Sequence, residues 1–302
     1  MSIKTQASGP AVSLAVRRSG PGERAKRSFE LATRGVIYLF VILIALLSVF
    51  PFIWMFSTSF KDTITNMEYP PRLIPPEPTL INYRDLFLKF DYFLWLRNSA
   101  VVTGFVLVLG PLFNSMAGYV FAKKDFLFKN VLFVIILGTL IVPEQITIVP
   151  LFIIFSELKL VNTFQALIFP YLAGGFGVFL MRQYMTTIPD DLIDAARIDG
   201  SGEFRIFWQI MVPLSKPALA ALGVFTFLGS WNNFLLPLIV TTESSMRTLP
   251  VGLAVMDGEY EFQTRWGLIM AGGTVMFAPA FMVYVAFQRY FVQGIALTGL
   301  KG

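Results

Sequence analysis

Residues 191–217 read "DLIDAARIDGSGEFRIFWQIMVPLSKP". Asp191, Asp194, Arg197, Asp199 and Glu203 place five charges ahead of Arg205, in a chain that is 55% hydrophobic. The stretch has the punctuation of two short helices. Pro189, Asp190 and Asp191 open the first, since proline suits a first turn and acids suit the positive end of the helix dipole. Asp199 and Gly200 end it. Ser201 is placed to cap the second helix, with Glu203 in its first turn, and Pro213 closes it. Leu192, Ala195 and Ala196 form a small face on the first helix, while Phe204, Phe207, Trp208 and Met211 recur at i, i+3, i+4 and i+7 on the second. Both helices are far too short to cross a bilayer. Such a pair packs against the ends of membrane spans or the headgroups, or fits a groove on a partner.

What flanks the stretch fixes the fold class. Mean hydropathy is +0.66, and 31 Phe with only 14% charged residues are remote from soluble-domain usage. Crossing ~30 Å of hydrocarbon takes about 20 apolar residues in a helix. Six runs qualify, at 35–56, 100–120, 131–155, 164–181, 218–240 and 268–287, and Glu144 is the one acidic or basic residue in them. Backbone polar groups in lipid must be satisfied within the segment, and the runs lack the alternation of barrel strands. The expected fold is therefore an all-α polytopic membrane protein with six spans over residues 34–293, a connecting loop at 186–217, a flexible tail at 1–33 and a short tail at 294–302.

Short loops rich in Lys and Arg stay cytoplasmic. With both termini inside, the inner segments hold 16 of the 24 basic residues, so the 186–217 loop is expected in the cytoplasm. The net charge of +5 is concentrated in Arg17, Arg18, Arg24, Lys26, Arg27 and Arg34 beside the first span. That placement is explained by topology and contact with lipid headgroups, not by nucleic-acid binding. The leader is too long and polar for a signal peptide, so the first span is expected to remain as an anchor.

The sequence contains neither Cys nor His. The usual metal ligands and the commonest general base are thus missing, and no G-x-S-x-G or H-E-x-x-H pattern occurs. The expected function is not enzymatic, and no metal or cofactor is expected on this chain. The phosphate-binding pattern G-x-x-x-x-G-K-[ST] has one near miss, at Gly294 to Gly299, which Leu300 breaks before Lys301.

"DAARIDGSGEFRIFWQIMVPLSKP" resembles the cytoplasmic signature of the permeases of ATP-binding-cassette (ABC) importers, with Asp194, Ala195, Ala196, Asp199, Gly200, Phe207, Ile210, Pro213, Leu214 and Pro217 in register. Asp194 stands where that family usually has Glu, and Ser201 where it usually has Ala. "PTLINYRDLF" (78–87), "WLRNSAVV" (95–102), "FGVFLMRQYM" (176–185), "WNNFLLPLIV" (231–240) and "LTGLKG" (297–302) extend the likeness to the carbohydrate-uptake branch, on the side of the smaller permease of the maltose transporter. The resemblance implies a permease of the type I fold in a prokaryotic cytoplasmic membrane. It also implies a second, non-identical permease, a cytoplasmic ATPase dimer that holds the ATP and Mg, and an extracytoplasmic solute-binding protein. Asp194, Ala195, Ala196, Arg197, Asp199, Gly200, Phe204, Phe207 and Pro213 are then the residues that meet the ATPase, with Gly200 allowing the sharp bend. Leu300, Lys301 and Gly302 of the tail would reach toward the same interface.

Asn114, Glu144, Gln145, Asn232 and Asn233 are polar groups within apolar runs and should face protein or a water-filled path. They line a sugar pathway or hydrogen-bond between helices, while Trp231 and Phe234 stack on a sugar ring or pack. Glu144 also supports a rival reading, an ion-coupled secondary transporter with that carboxylate as its coupling group. The absence of paired halves opposes it.

Overall fold

The computed structural model describes residues 21–62, 69–256 and 265–299. The chain divides into two units, residues 1–54 and 55–302. The first is carried by α1, Pro21–Ser59, whose stretch Ala32–Ser59 is long and apolar enough to cross a membrane. Helix thus begins inside the segment expected as a flexible tail. Pro21 suits a first helical position, and Glu23, Arg24, Ala25, Lys26 and Arg27 are good helix formers.

In the second unit α2 is Ile81–Lys89 and α3 is Tyr92–Lys123. Then come α4 Lys129–Thr139, α5 Glu144–Glu157, α6 Phe164–Ile168 and α7 Gly175–Met185. The 186–217 region folds as α8 Asp191–Ile198 and α9 Glu203–Leu214. After it follow α10 Lys216–Trp231, α11 Leu235–Val240, α12 Leu249–Met256 and α13 Trp266–Gly299. Among the described residues four helical stretches are long and apolar enough to span, and six when each sharply bent pair counts as one.

α3 is the axis of the unit, giving Tyr119, Tyr92, Val102 and Phe121 to four separate buried clusters. Lipid removes most of the hydrophobic gain from helix pairing, so close backbone approach over small residues carries more of the packing. A β-carbon at Gly118 would lie 2.6 Å from Met181 Cβ on α7, and one at Gly252 would lie 2.1 Å from the Trp95 indole. At the start of α3, Asn98 Nδ2 donates to the carbonyls of Ser245 and Arg247 at 2.8 and 3.1 Å, fixing the connection into α12.

Three of the expected spans are broken. The run at 131–155 is two helices meeting at 98°. Pro143 causes the break: its ψ of 134° is extended, and the residue before a proline avoids helical geometry. The run at 164–181 leaves helical geometry after a 3₁₀ turn at Phe169–Tyr171 and resumes at Gly175. The run at 218–240 stops at Trp231, where the Asn232 side chain donates to the Leu228 carbonyl at 2.9 Å, and restarts at Leu235.

Candidate functional site

Two regions of the second unit hold the polar residues singled out above. The first is the loop between α7 and α10. Ile193 and Ala196 are the buried face of α8, joined by Ile206, Phe207 and Met211 of α9 over Tyr119, Met181 and Met185. This corrects the expected faces. Leu192 and Ala195 point outward, and the stripe on α9 splits, with Phe207 and Met211 buried while Phe204 and Trp208 stay exposed. Ile206 joins Phe207 and Met211 in the core, so the buried face of α9 lies to one side of the expected stripe, and the turn at Phe207–Met211 is π-helical. Pro213 lies in the last turn of α9. The helix ends one residue later, at Leu214, and an 80° bend into α10 follows.

Between the two helices, Gly200 has φ +80°, the left-handed geometry expected of it. Its N–H donates to Arg197 O at 3.0 Å, and Ser201 N–H donates to Ala196 O at 2.9 Å, the paired bonds of a Schellman turn. Ser201 therefore closes the first helix and Gly202, not Ser201, occupies the cap of the second.

Charges bind this turn to α3. Glu203 pairs with Lys124, accepts the Tyr119 hydroxyl at 2.7 Å and accepts from Arg197 at 3.2 Å. Arg197 reaches back to Asp194 at 3.1 Å, linking both helices across Gly200. Lys123 donates to Ile188 O at 2.5 Å and to Asp190 at 2.7 Å, and this ammonium holds the Asp190 carboxyl below the usual range. The Lys124 ammonium, followed by the Tyr119 hydroxyl, pulls Glu203 down to about 2. A depressed carboxylate stabilises the fold in full above its ordinary value near 4.5 and loses that contribution as pH falls through about 2. Hydrogen exchange at residues 191–214 should therefore be unchanged between about pH 7 and about pH 5 after correction for intrinsic rates. Glu203→Gln should quicken it severalfold at either pH; equal rates in the variant would show that the pairing does not hold the loop.

The second region is a cavity of about 540 Å³, within the range of small-molecule sites. It forms where the three broken runs meet: Glu144 at the start of α5, Tyr171 and Gly174 before α7, and Asn232 and Asn233 after α10. Irregular backbone at membrane depth is tolerated only inside protein or along a water-filled space, which is what the breaks line. The Tyr171 hydroxyl donates to Glu144 Oε1 at 2.7 Å. Asn114 Oδ1 accepts from Gly174 N–H at 3.0 Å while its Nδ2 donates to Gly110 O at 2.7 Å, pinning one break to α3. Phe176 and Phe225 meet edge to face at 5.4 Å on the wall.

A match to the family described as the binding-protein-dependent transport system inner membrane component covers residues 114–297, more than half of the chain. The chain belongs to that family. The permease is 39% identical, over 86% of its length and 93% of the relative's, to the arabinooligosaccharides transport system permease protein of Halalkalibacterium halodurans. It is 32% identical to the trehalose/maltose transport system permease protein of Thermococcus litoralis, over 90% and 99% of the two chains. Its fold matches a chain of a bacterial ABC transporter involved in the import of the acidic polysaccharide alginate, with a TM-score of 0.78 at 22% identity over 89% of the permease and 98% of that chain. The likeness establishes a type I ABC importer permease fold.

Family membership sets aside the ion-coupled transporter. Asn114, Glu144, Asn232 and Asn233 of the permease do converge on one space, whereas two other expected residues lie apart from it. Trp231 is buried against Phe227, 5.7 Å away and stacked, and its Nε1 donates to Met276 O at 3.0 Å, so its indole packs α10 onto α13. Gln145 follows Glu144 on the first turn of α5, outside the cavity lining. Sequence reasoning missed Tyr171, Lys123, Lys124 and Tyr119. Breakers in three separate apolar runs, at Pro143, Gly174-Gly175 and Asn232-Asn233, were the available signal for Tyr171. Leu300, Lys301 and Gly302 lie outside the described residues.

Proposed function

We propose that this permease imports a sugar or sugar derivative through the 540 Å³ cavity, with α8 and α9 docking on a cytoplasmic ATPase dimer that binds ATP and Mg. A second, non-identical permease completes the pathway, and an extracytoplasmic solute-binding protein delivers the cargo. Both termini and the 186–217 loop then face the cytoplasm of a prokaryotic cell. Support for the cargo comes from saccharide-transporting relatives and from a space walled by amides, hydroxyls and aromatic rings. Support for the coupling comes from one observation. α8 and α9 are anchored on one side by Ile193, Ile206, Phe207 and Met211, yet present Leu192, Ile198, Phe204 and Trp208 to the outside.

Exposed apolar side chains in a well-anchored helix pair suit a groove on a partner, with aromatic residues as the anchors. Asp194 and Arg197 border the patch and fix its register. The test is to replace Phe204 and Trp208 together with alanine. Recovery of the ATPase with the tagged permease should fall at least about tenfold, while membrane insertion and the protease resistance of the cavity helices stay as in wild type. Undiminished recovery would sink the docking role.

A further inference from the structure

We propose that Glu144 makes the cavity a filter against anionic solutes, so that its cargo is an uncharged polyhydroxylated molecule. The inference rests on the reading of the cavity as the solute pathway and narrows it. Among the described residues that line the space, Glu144 carries the only formal charge, and no Lys or Arg lies on the wall to balance it. The remaining polar groups are neutral: amides of Asn114, Asn232 and Asn233, and hydroxyls of Ser230, Thr226 and Tyr171.

Two properties of this wall point to the same solute class. First, an anion entering it meets a carboxylate that no Lys or Arg among the described lining residues offsets, and like charges a few ångströms apart repel. Second, the carboxylate is held ready for a hydroxyl. Its Oε1 takes the Tyr171 proton at 2.7 Å, which fixes the group in place, and a carboxylate has about four acceptor positions, leaving room for a donor from the solute. Sugar hydroxyls supply such donors; phosphates and uronates bring charge of the wrong sign.

The absence of cysteine from this chain makes the filter directly measurable. Ser230→Cys places a single thiol of this chain on the cavity wall, and its modification is followed by mass spectrometry of this chain within the complete importer in lipid vesicles. A cationic and an anionic methanethiosulfonate reagent of similar size are compared. With Glu144 present the cationic reagent should react faster, relative to its rate on a free thiol, by roughly tenfold. In Glu144→Gln, which keeps an acceptor oxygen and removes the charge, that ratio should fall to about one. A ratio unchanged by the substitution overturns the filter.

Uptake of arabinotriose separates this result from the wider reading. If arabinotriose is imported, or slows modification of the thiol, while the ratio ignores Glu144, the filter fails and the saccharide pathway stands. If the ratio collapses as expected but arabinotriose neither enters nor protects, the filter stands and arabinotriose is excluded as the cargo.

Discussion

Replacing Gly200 with proline is expected to lower solute-stimulated ATPase activity and import at least about tenfold, while the chain still inserts and packs its spans. The reasoning is confined to one turn. Gly200 holds φ +80°, and its N–H closes α8 on Arg197 O. Proline fixes φ near −65° and has no N–H, so it forbids the geometry and removes the bond together. The space around the residue is open, with nothing within 4 Å of an added β-carbon, so steric crowding does not enter. Asparagine tests this: it tolerates the left-handed region at little of the roughly 1–2 kcal/mol that other side chains incur, and Gly200→Asn should keep activity within about twofold. The α8–α9 angle is the quantity at stake, because the Asp194, Arg197 and Glu203 chain is strung across this turn. ATPase recovery and stimulated hydrolysis are to be measured separately. Loss of stimulation with recovery intact places the turn in the transmission of movement; full activity in the proline variant removes the helix pair from coupling.

The membrane class, the positions of the apolar runs and the two short helices on either side of Gly200 were legible because each depends on long averages or on local punctuation. Twenty apolar residues need no tertiary information to be read as a span, and Gly200 needs only its neighbours to be read as a turn. The faces of α8 and α9 were not legible. A period of 3.6 assigned Phe204, Phe207, Trp208 and Met211 to one stripe, but Phe207 and Met211 pack with Ile206 against Tyr119, Met181 and Met185, which lie far away in sequence, and leave Phe204 and Trp208 outside. The anchoring of the loop was hidden for a similar reason, since Lys123 and Lys124 read as topology signals until the fold brings Asp190 and Glu203 to them.

The cavity was half legible. Single polar residues in apolar runs marked Asn114, Glu144, Asn232 and Asn233, but their convergence required knowing that three helices break near one another. A hydropathy average passes smoothly over Pro143, Gly174 and Asn232, so the runs looked continuous. Trp231 erred in the opposite direction. Its indole suits a sugar ring as well as a helix interface, and only the positions of Phe227 and Met276 decide for the interface.

The largest effect on folding is expected where α3 and α7 touch. A β-carbon at Gly118 would stand 2.6 Å from Met181 Cβ and 2.9 Å from the backbone nitrogen of Arg182. Contacts that short do not exist between real atoms, and one of these partners is main chain that no rotamer change can move. The helices must separate, at a cost of about 1–3 kcal/mol for alanine and more for valine. Separation is not a local matter here. Asn114, four residues before Gly118, holds the Gly174 break at 3.0 Å and packs so tightly on Gly177 that a β-carbon there would fall 2.5 Å from its Cγ. Tyr119, the next residue, holds Glu203 and through it the 186–217 loop. Gly118→Val should therefore lower thermal stability in lipid and import together, since the cavity wall and the loop anchor share the α3–α7 spacing. Gly104, on the same helix, has nothing within 4 Å of an added β-carbon, so Gly104→Ala should be neutral or gain up to about 1 kcal/mol from helix propensity. Equal thermal midpoints for the two variants would show that α3 and α7 are not held at this distance and that the cavity and the loop are not mechanically joined through it.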